Sequence, residues 1–460
     1  MSNQDVHVGM MPSAGMGHLT PMLRLASLLL NHKCKVTIIN PLPTVSQAEA
    51  QLLSRFRSTY PQVNQINLHL QLPSPSLNST NDPFFLRYEA ICASTPLLTP
   101  FLSTLSPPLS AFVSDFFLIS PLLSITQTLA LPNYLLGTSS ATMLSFVSHF
   151  PSLVQSLPKL DVVQIPGISP IPISSIPPVI LLPNTTFRKF VMEDSPQITK
   201  FHGVLINTFE ALETQSLEAL NAGKVVRGMP QVHAIGPFER CEFEKEGEWG
   251  APLKWLDDKP IGSVVYVGFG SRTAMGRDQI REVGEGLVRS GCKFLWVVKD
   301  KIVDKEEEVG LDEVLGLEVL ERMREKGLVM KEWVDQSEIL GHQAVGGFVS
   351  HCGWNSVMEA AWTGVPILAW PQNGDQRINA GVVEMSGLGV WKKDWDWAGE
   401  GVVKGEQIGE AIKDMMKDES LKIKAAQVKE ARRKAMAVGG DCEVSLERLF
   451  EEWRKNANNV

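Results

Sequence analysis

The sequence predicts an α/β protein built from two doubly wound parallel-sheet units, and three observations carry that expectation. First, 460 residues exceed what one hydrophobic core usually supports, so two units of roughly 200 residues each are expected. Second, short β-rich runs alternate with helical patterns in both halves, the order that produces parallel strands joined by right-handed crossovers. Third, the chemistry changes in mid-chain: residues 1 to 240 hold 13 of the 43 Lys+Arg, 12 of the 51 Asp+Glu and 25 of the 29 prolines. The shift falls near FERCEFEKEGEWGAP (238–252), a charged, glycine-containing run that reads as a linker. The expected organisation is an N-terminal domain over 1–238, a linker over 239–252 and a C-terminal domain over 253–440. A last helix over 441–460 is expected to pack back on the N-terminal domain.

The elements follow in order from runs of aliphatic and β-branched residues bounded by turn formers. In the first half VHVGMM (6–11) is a strand, 18–30 has helical spacing, and KVTIIN (35–40), FVS (112–114) and GVLIN (203–207) are strands. In the second half the strands are SVVYVGF (263–269), KFLWVV (293–298), GLVM (327–330), GGFVS (346–350) and PILAW (366–370), with helices between them. Sheets of this kind bind ligands outside the carboxyl ends of their strands. Two of them facing across a cleft would share a ligand site.

Composition excludes several classes. Hydrophobic residues are 44% and charged residues 20%, ordinary for a soluble chain with a core, and the net charge of −8 leaves no basic footprint for nucleic acid. The most apolar stretch, 116–136, is broken by Pro121, Gln127 and Pro132, so no membrane span is expected. The six cysteines show no C-x-x-C pair or zinc spacing, and the amino terminus lacks a basic and apolar leader, so a reduced, cytoplasmic protein is expected.

The strongest signal is the 44-residue run from Trp333 to Gln376, WVDQSEILGHQAVGGFVSHCGWNSVMEAAWTGVPILAWPQNGDQ. GGFVS is a buried strand, HCGWNS a strand-to-helix turn and VMEAAWTG a helix ending at Gly364. A helix N-terminus offers unpaired N–H groups and partial positive charge, so Gly353 to Ser356 form a pyrophosphate cradle. His351, Asn355 and Ser356 add side-chain donors, and Glu359, one turn on, can accept from ribose hydroxyls. Asp375 and Gln376, after the next strand, are placed to hold the far end of the same ligand.

This run resembles the signature box of plant uridine-diphosphate-sugar glycosyltransferases, and the whole chain is similar to that family, whose paired Rossmann-like domains form the GT-B fold. The resemblance implies an acceptor-binding N-terminal domain and a UDP-sugar-binding C-terminal domain. It implies that Trp333 stacks on uracil, Val334 and Gln336 contact base and ribose, and Glu359 holds the ribose. His351, Asn355 and Ser356 would hold the diphosphate; Trp354, Asp375 and Gln376 the sugar; and Ser271 the phosphate. UDP-glucose is then a substrate, and neither a cofactor nor a metal is implied. Gly268 departs from the pattern, standing where a serine is usual. Trp370 can line a cleft or fill core.

Strand one ends in PSAGMGHLTP. The Gly15-x-Gly17 pair invites a dinucleotide reading, but Thr20 stands at the third glycine and KVTIIN lacks the acid expected on a nicotinamide-nucleotide ribose. The glycines instead allow a tight turn that presents His18, which the resemblance assigns as general base. An imidazole with an unperturbed pKa of about 6.5 is neutral and able to take a proton near pH 7. Its expected partner is Asp115, which follows a buried strand and is one of few acids in the first half. By resemblance, Thr138 reaches the sugar. His18 would deprotonate an acceptor hydroxyl, and attack on the α-linked donor would give a β-linked product, with the helix N-terminus and His351 offsetting charge on the departing diphosphate.

WVDQ, NDPFFLRYEA (81–90), SPPLSAFVSDF, GSRTAMGRDQI and GDQRINA together resemble the flavonoid C-glycosyltransferase branch, which acts on 2-hydroxyflavanones and dihydrochalcones. That resemblance implies a phloroglucinol-like acceptor attacked at ring carbon, with Asp82, Pro83 and Phe84 in the acceptor region and Phe85 and Tyr88 as aromatic walls. Ordinary core packing is an equal reading of that aromatic cluster. The rival functions are a flavonoid O-glucosyltransferase, a nucleotide-binding protein without turnover, and a nicotinamide oxidoreductase. A monomer is expected.

Overall fold

Aliphatic runs without polar alternation become strands buried on both faces, the pattern of a parallel sheet covered by helices. The computed structural model describes residues 6–71, 83–155, 161–245, 250–270, 273–299, 310–332, 334–397 and 399–457. The chain divides into two units, Met1–Glu244 with Ala435–Val460, and Lys245–Lys434.

In the first unit the strands are β1 (His7–Met11), β2 (Lys35–Leu42), β3 (Asn64–His69), β4 (Ala111–Asp115), β5 (Asn133–Gly137), a short antiparallel pair β6 (Val162–Val163) and β7 (Ile171–Pro172), β8 (Gly203–Ile206) and β9 (Gln231–Ala234). Seven of them form a parallel sheet in the order β3-β2-β1-β4-β5-β8-β9. The chain runs outward from β1 to β3 and then restarts at β4 on the other side. β1 and β4 therefore flank a switch point, where loops leave the strand ends in opposite directions and open a crevice. The core under this sheet takes in Leu446, Leu449, Phe450 and Trp453 from the helix Asp441–Ala457. Tyr134 donates its hydroxyl to Glu452 at 2.7 Å, and Arg24 grips Glu244 through two bonds of 2.8 and 2.7 Å.

The second unit holds β10 (Val264–Gly268), β11 (Lys293–Val297), β12 (Gly327–Met330), β13 (Val345–Ser350), β14 (Ile367–Ala369) and β15 (Gly389–Trp391). Their order, β12-β11-β10-β13-β14-β15, is again parallel and places a second switch point between β10 and β13. Trp370 is buried in this core against Phe269 and Trp395, which decides between the two readings of it in favour of packing. Among the described residues, no helix is long and apolar enough to cross a membrane. All six cysteines are free thiols.

Candidate functional site

At the first switch point the chain leaves β1 and turns at Gly15, whose φ of 93° lies in the region that a side chain disfavours. Gly15 caps the helix Met16–Asn31, and His18 falls in its first turn. Of the two glycines only Gly15 is required by the backbone: Gly17 has no positive φ, and a Cβ there would meet nothing within 4 Å. Asp115 ends β4 beside it. His18 Nδ1 lies 2.8 Å from Asp115 Oδ2, with the imidazole 15% exposed and the carboxylate fully buried. The other carboxylate oxygen accepts the Phe117 N–H at 2.9 Å. A carboxylate so placed fixes the proton on Nδ1, so Nε2 presents its lone pair. No described residue bonds Nε2.

Thr138 follows β5, the strand that pairs with β4, so it arrives beside the same histidine. Its Oγ1 lies 3.0 Å from His18 Nδ1. The residue expected at the donor sugar thus forms part of the seat of the imidazole.

Aromatic rings surround the dyad. Phe84 and Phe117 lie 5.4 and 5.3 Å from the His18 ring. Phe84 and Tyr88 are buried, and Tyr88 commits its hydroxyl to Asp194 at 3.1 Å, so both are packed mainly within the protein. Phe85 keeps a partly exposed face, as do Phe117 and Phe187, whose rings are 5.7 Å apart. Phe190 closes the cluster from behind, 4.7 Å from Phe117. Sequence reasoning missed Phe117, Phe187 and Phe190. Phe117 was legible as a neighbour of Asp115, whereas Phe187 and Phe190 lie about 70 residues on with no motif to mark them. Asp82 lies outside the described residues, as does the side chain of Pro83.

At the second switch point β13 ends at Ser350, and the helix Trp354–Thr363 starts after a three-residue turn. Cys352 in that turn is buried with φ 64°, a strained conformation for a side chain and one that aims the following N–H groups. His351 is 9% exposed, and burial pushes its pKa down to about 4, partly opposed by the Gly268 backbone. Burial thus favours the neutral imidazole at pH 7, whose means of meeting a diphosphate is a hydrogen bond. Its Nδ1 is buried without a well-formed bond among the described residues. Glycines leave room for its ring: a Cβ on Gly270 would fall 2.6 Å from Nε2, and one on Gly353 closer still.

Three of the expected nucleotide contacts meet in one network. Gln336, first residue of the helix Gln336–Gly341, donates Nε2 to Ser356 Oγ at 2.9 Å and to Glu359 Oε2 at 2.7 Å. Asn355 stands half-buried at the helix start. The Trp354 indole and the Val334 side chain are buried. Gln376 spends its amide inside its own loop: Oε1 accepts the Gln372 and Asn373 N–H groups at 2.8 and 2.9 Å, and Nε2 donates to Asn373 at 3.0 Å. Asp375 accepts from Asn379 at 2.9 Å, and Asn379 also donates to the Cys352 carbonyl at 3.1 Å. Asn379, which no motif reasoning singled out, thereby ties the loop of Asp375 to the turn of His351. Ser271 and Trp333 lie outside the described residues.

A family model described as UDP-glucoronosyl and UDP-glucosyl transferase matches residues 259–432, the span that holds this network. UDP-glycosyltransferase 708D1 of Glycine max is 52% identical over 470 residues, 98% of either chain. The chain belongs to the plant UDP-glycosyltransferase family 708. The solved structure of LpCGTa in complex with UDP is 42% identical to this glycosyltransferase, with a TM-score of 0.88 over 98% of this chain and 99% of that one. Medicago truncatula UGT71G1 complexed with UDP-glucose is 30% identical, with a TM-score of 0.85 over 98% and 99%. The fold is GT-B, and the enzyme is a UDP-sugar glycosyltransferase similar to C-glycosyltransferases. Within this glycosyltransferase the His18–Asp115 pair lies at the switch point of the first unit, and the Gln336–Ser356–Glu359 network lies beside a helix N-terminus at that of the second.

Proposed function

We propose that this glycosyltransferase moves glucose from UDP-glucose to a ring carbon of a phloroglucinol-type polyphenol, with inversion at the anomeric carbon. The observation that carries the reading is His18, held by Asp115 at 2.8 Å, with no described residue bonded to Nε2 and with the partly exposed Phe117 ring 5.3 Å from the imidazole. Such a site suits a flat acceptor whose hydroxyl must be deprotonated. Nε2 takes the hydroxyl proton, and the phenolate raises electron density at the carbon between two oxygenated positions. That carbon forms a bond to the anomeric carbon as the bond to the diphosphate breaks, and the ring hydrogen then leaves as a proton to restore aromaticity. The donor is held by Glu359, Gln336, Ser356, Asn355 and His351, with Asp375 and Gln376 toward the sugar and Ser271 and Trp333 at phosphate and uracil. Charge growing on the diphosphate is met by the N-terminus of the helix Trp354–Thr363. Similarity to LpCGTa supports the carbon linkage over the oxygen linkage.

Incubation with UDP-glucose and phloretin or 2-hydroxynaringenin tests this. The expected product survives acid hydrolysis and fragments within the sugar ring in mass spectrometry. A product that releases glucose in acid makes the enzyme an O-glucosyltransferase, and absence of UDP release with either acceptor removes the acceptor assignment.

A further inference from the structure

The glycine that ends β10 leaves a space which another residue of the same strand fills. Side chains two apart on a strand share a face, so positions 266 and 268 lie side by side. A Cβ built on Gly268 would fall 2.9 Å from the Tyr266 hydroxyl oxygen and 3.1 Å from the ring carbon bearing it. The ring has little room to retreat, because Tyr266 is buried and stacks on Phe348 of β13 with centroids 5.1 Å apart. Glycine at 268 is therefore what admits the phenol hydroxyl to the carboxyl end of the strand. From there the hydroxyl reaches Gln336 Oε1 at 3.5 Å, a long bond, and the Nε2 of that amide meets Ser356 and Glu359. The two ends of a glutamine amide have nearly the same shape, so its partners decide which way it points. Here Oε1 faces a donor and Nε2 faces a carboxylate. Turned over, the amide would set its oxygen against Glu359.

We propose that Tyr266 is a positioning residue for the donor ribose: its hydroxyl, admitted by Gly268, holds the Gln336 amide in the orientation that aligns Glu359 with the ribose hydroxyls. This rests on Glu359 being the ribose contact and deepens that reading. It also assigns a use to the departure at position 268, because the strand keeps a hydroxyl at this point and carries it on a neighbouring side chain.

The test compares binding of UDP with binding of 2′,3′-dideoxy-UDP to the full chain by calorimetry. Tyr266→Phe is expected to weaken UDP about three- to tenfold, the effect of one hydrogen bond, and to leave the dideoxy compound nearly unchanged. The KM for UDP-glucose rises by the same factor, with kcat changed less. Gly268→Ser, which crowds the hydroxyl, gives the same pattern. The double variant loses less than the two single losses combined, because the serine hydroxyl enters the space the phenol vacated. If both single variants keep the UDP to dideoxy-UDP ratio of the parent, or lose both nucleotides equally alongside a lowered melting temperature, the proposal is overturned. Glu359→Gln in the same assay separates the two levels. If it leaves UDP affinity unchanged, the ribose reading itself fails; if it weakens UDP while Tyr266→Phe does not, only the role of Tyr266 falls.

Discussion

Replacing Asp115 by asparagine keeps the shape of the side chain and reverses what it offers His18. One carboxylate oxygen accepts the Phe117 N–H at 2.9 Å and the other faces His18 Nδ1 at 2.8 Å. An asparagine must turn its single oxygen to the Phe117 N–H, since its NH2 cannot accept there. The NH2 then points at Nδ1 and forces that nitrogen to accept, so the ring proton moves to Nε2 and the base loses its lone pair. A hydrogen bond to a charged group contributes about 1.5–3 kcal/mol. An asparagine that enforces the wrong tautomer in a comparable dyad lowers kcat by about 10⁴-fold, so a fall between about 10²- and 10⁴-fold is expected here. Asp115→Ala behaves differently. With the carboxylate gone, Thr138 Oγ1, 3.0 Å from Nδ1, remains to accept the Nδ1 proton, so alanine keeps more turnover than the isosteric asparagine. The assay is UDP release under saturating donor and acceptor, at a temperature where circular dichroism shows both variants folded. Asparagine within threefold of the parent, or above alanine, would refute the tautomer argument.

Four further outcomes follow from the geometry. Gly353→Ala has a backbone that tolerates alanine, with φ −57°, but its methyl intrudes on His351, so UDP affinity should fall about tenfold, and an unchanged calorimetric constant contradicts this. His351 has a folded pKa of about 4, below about 6.5 for an unfolded chain. Between those values the unfolded state binds the extra proton, so about 3 kcal/mol of stability, fully present above pH 6.5, is lost as pH falls toward 4. His351→Gln should flatten the fall of the urea midpoint across that window, and parallel curves for parent and variant would count against a buried neutral imidazole. Trp453→Ala empties a fully buried site in the first unit and should cost about 3–5 kcal/mol in urea unfolding; a loss below 1 kcal/mol means the helix Asp441–Ala457 does not hold that core. Phe187→Ala should raise the acceptor KM several-fold at constant donor KM, and an unaltered acceptor KM would take that ring out of the pocket.

Much of the fold was legible because the central strands are apolar on both faces. VHVGMM and SVVYVGF need no partner information to be recognised. Three of the strands that sequence reasoning passed over show two reasons for it. Asn64–His69 is an edge strand with a polar, half-exposed sequence, and Gly389–Trp391 is a three-residue edge, so neither is marked by hydrophobicity. Asn133–Gly137 is fully buried, but it adjoins the helix Ile119–Thr128 in one apolar stretch where periodicity cannot mark the change of element. At the site, His18 was legible from the resemblance and Asp115 from its place at the end of a buried strand; His18 opens the helix that follows β1, and the pairing of β1 with β4 brings the two together. What sequence spacing could not reveal is which atoms are spent locally: the Gln376 amide on its own loop, the Tyr88 hydroxyl on Asp194, and Thr138 on the imidazole. Those commitments depend on side-chain directions fixed by tertiary packing, which no linear pattern records.

The central claim is that Nε2 of His18 removes the acceptor proton while the nucleotide is bound by other residues. His18→Ala, assayed for both turnover and UDP affinity on one preparation, tests it most directly. The account predicts a loss of about 10²- to 10⁴-fold in kcat with the UDP dissociation constant within twofold of the parent. Turnover near the parental rate, or a loss of turnover matched by an equal loss of UDP affinity, would contradict it.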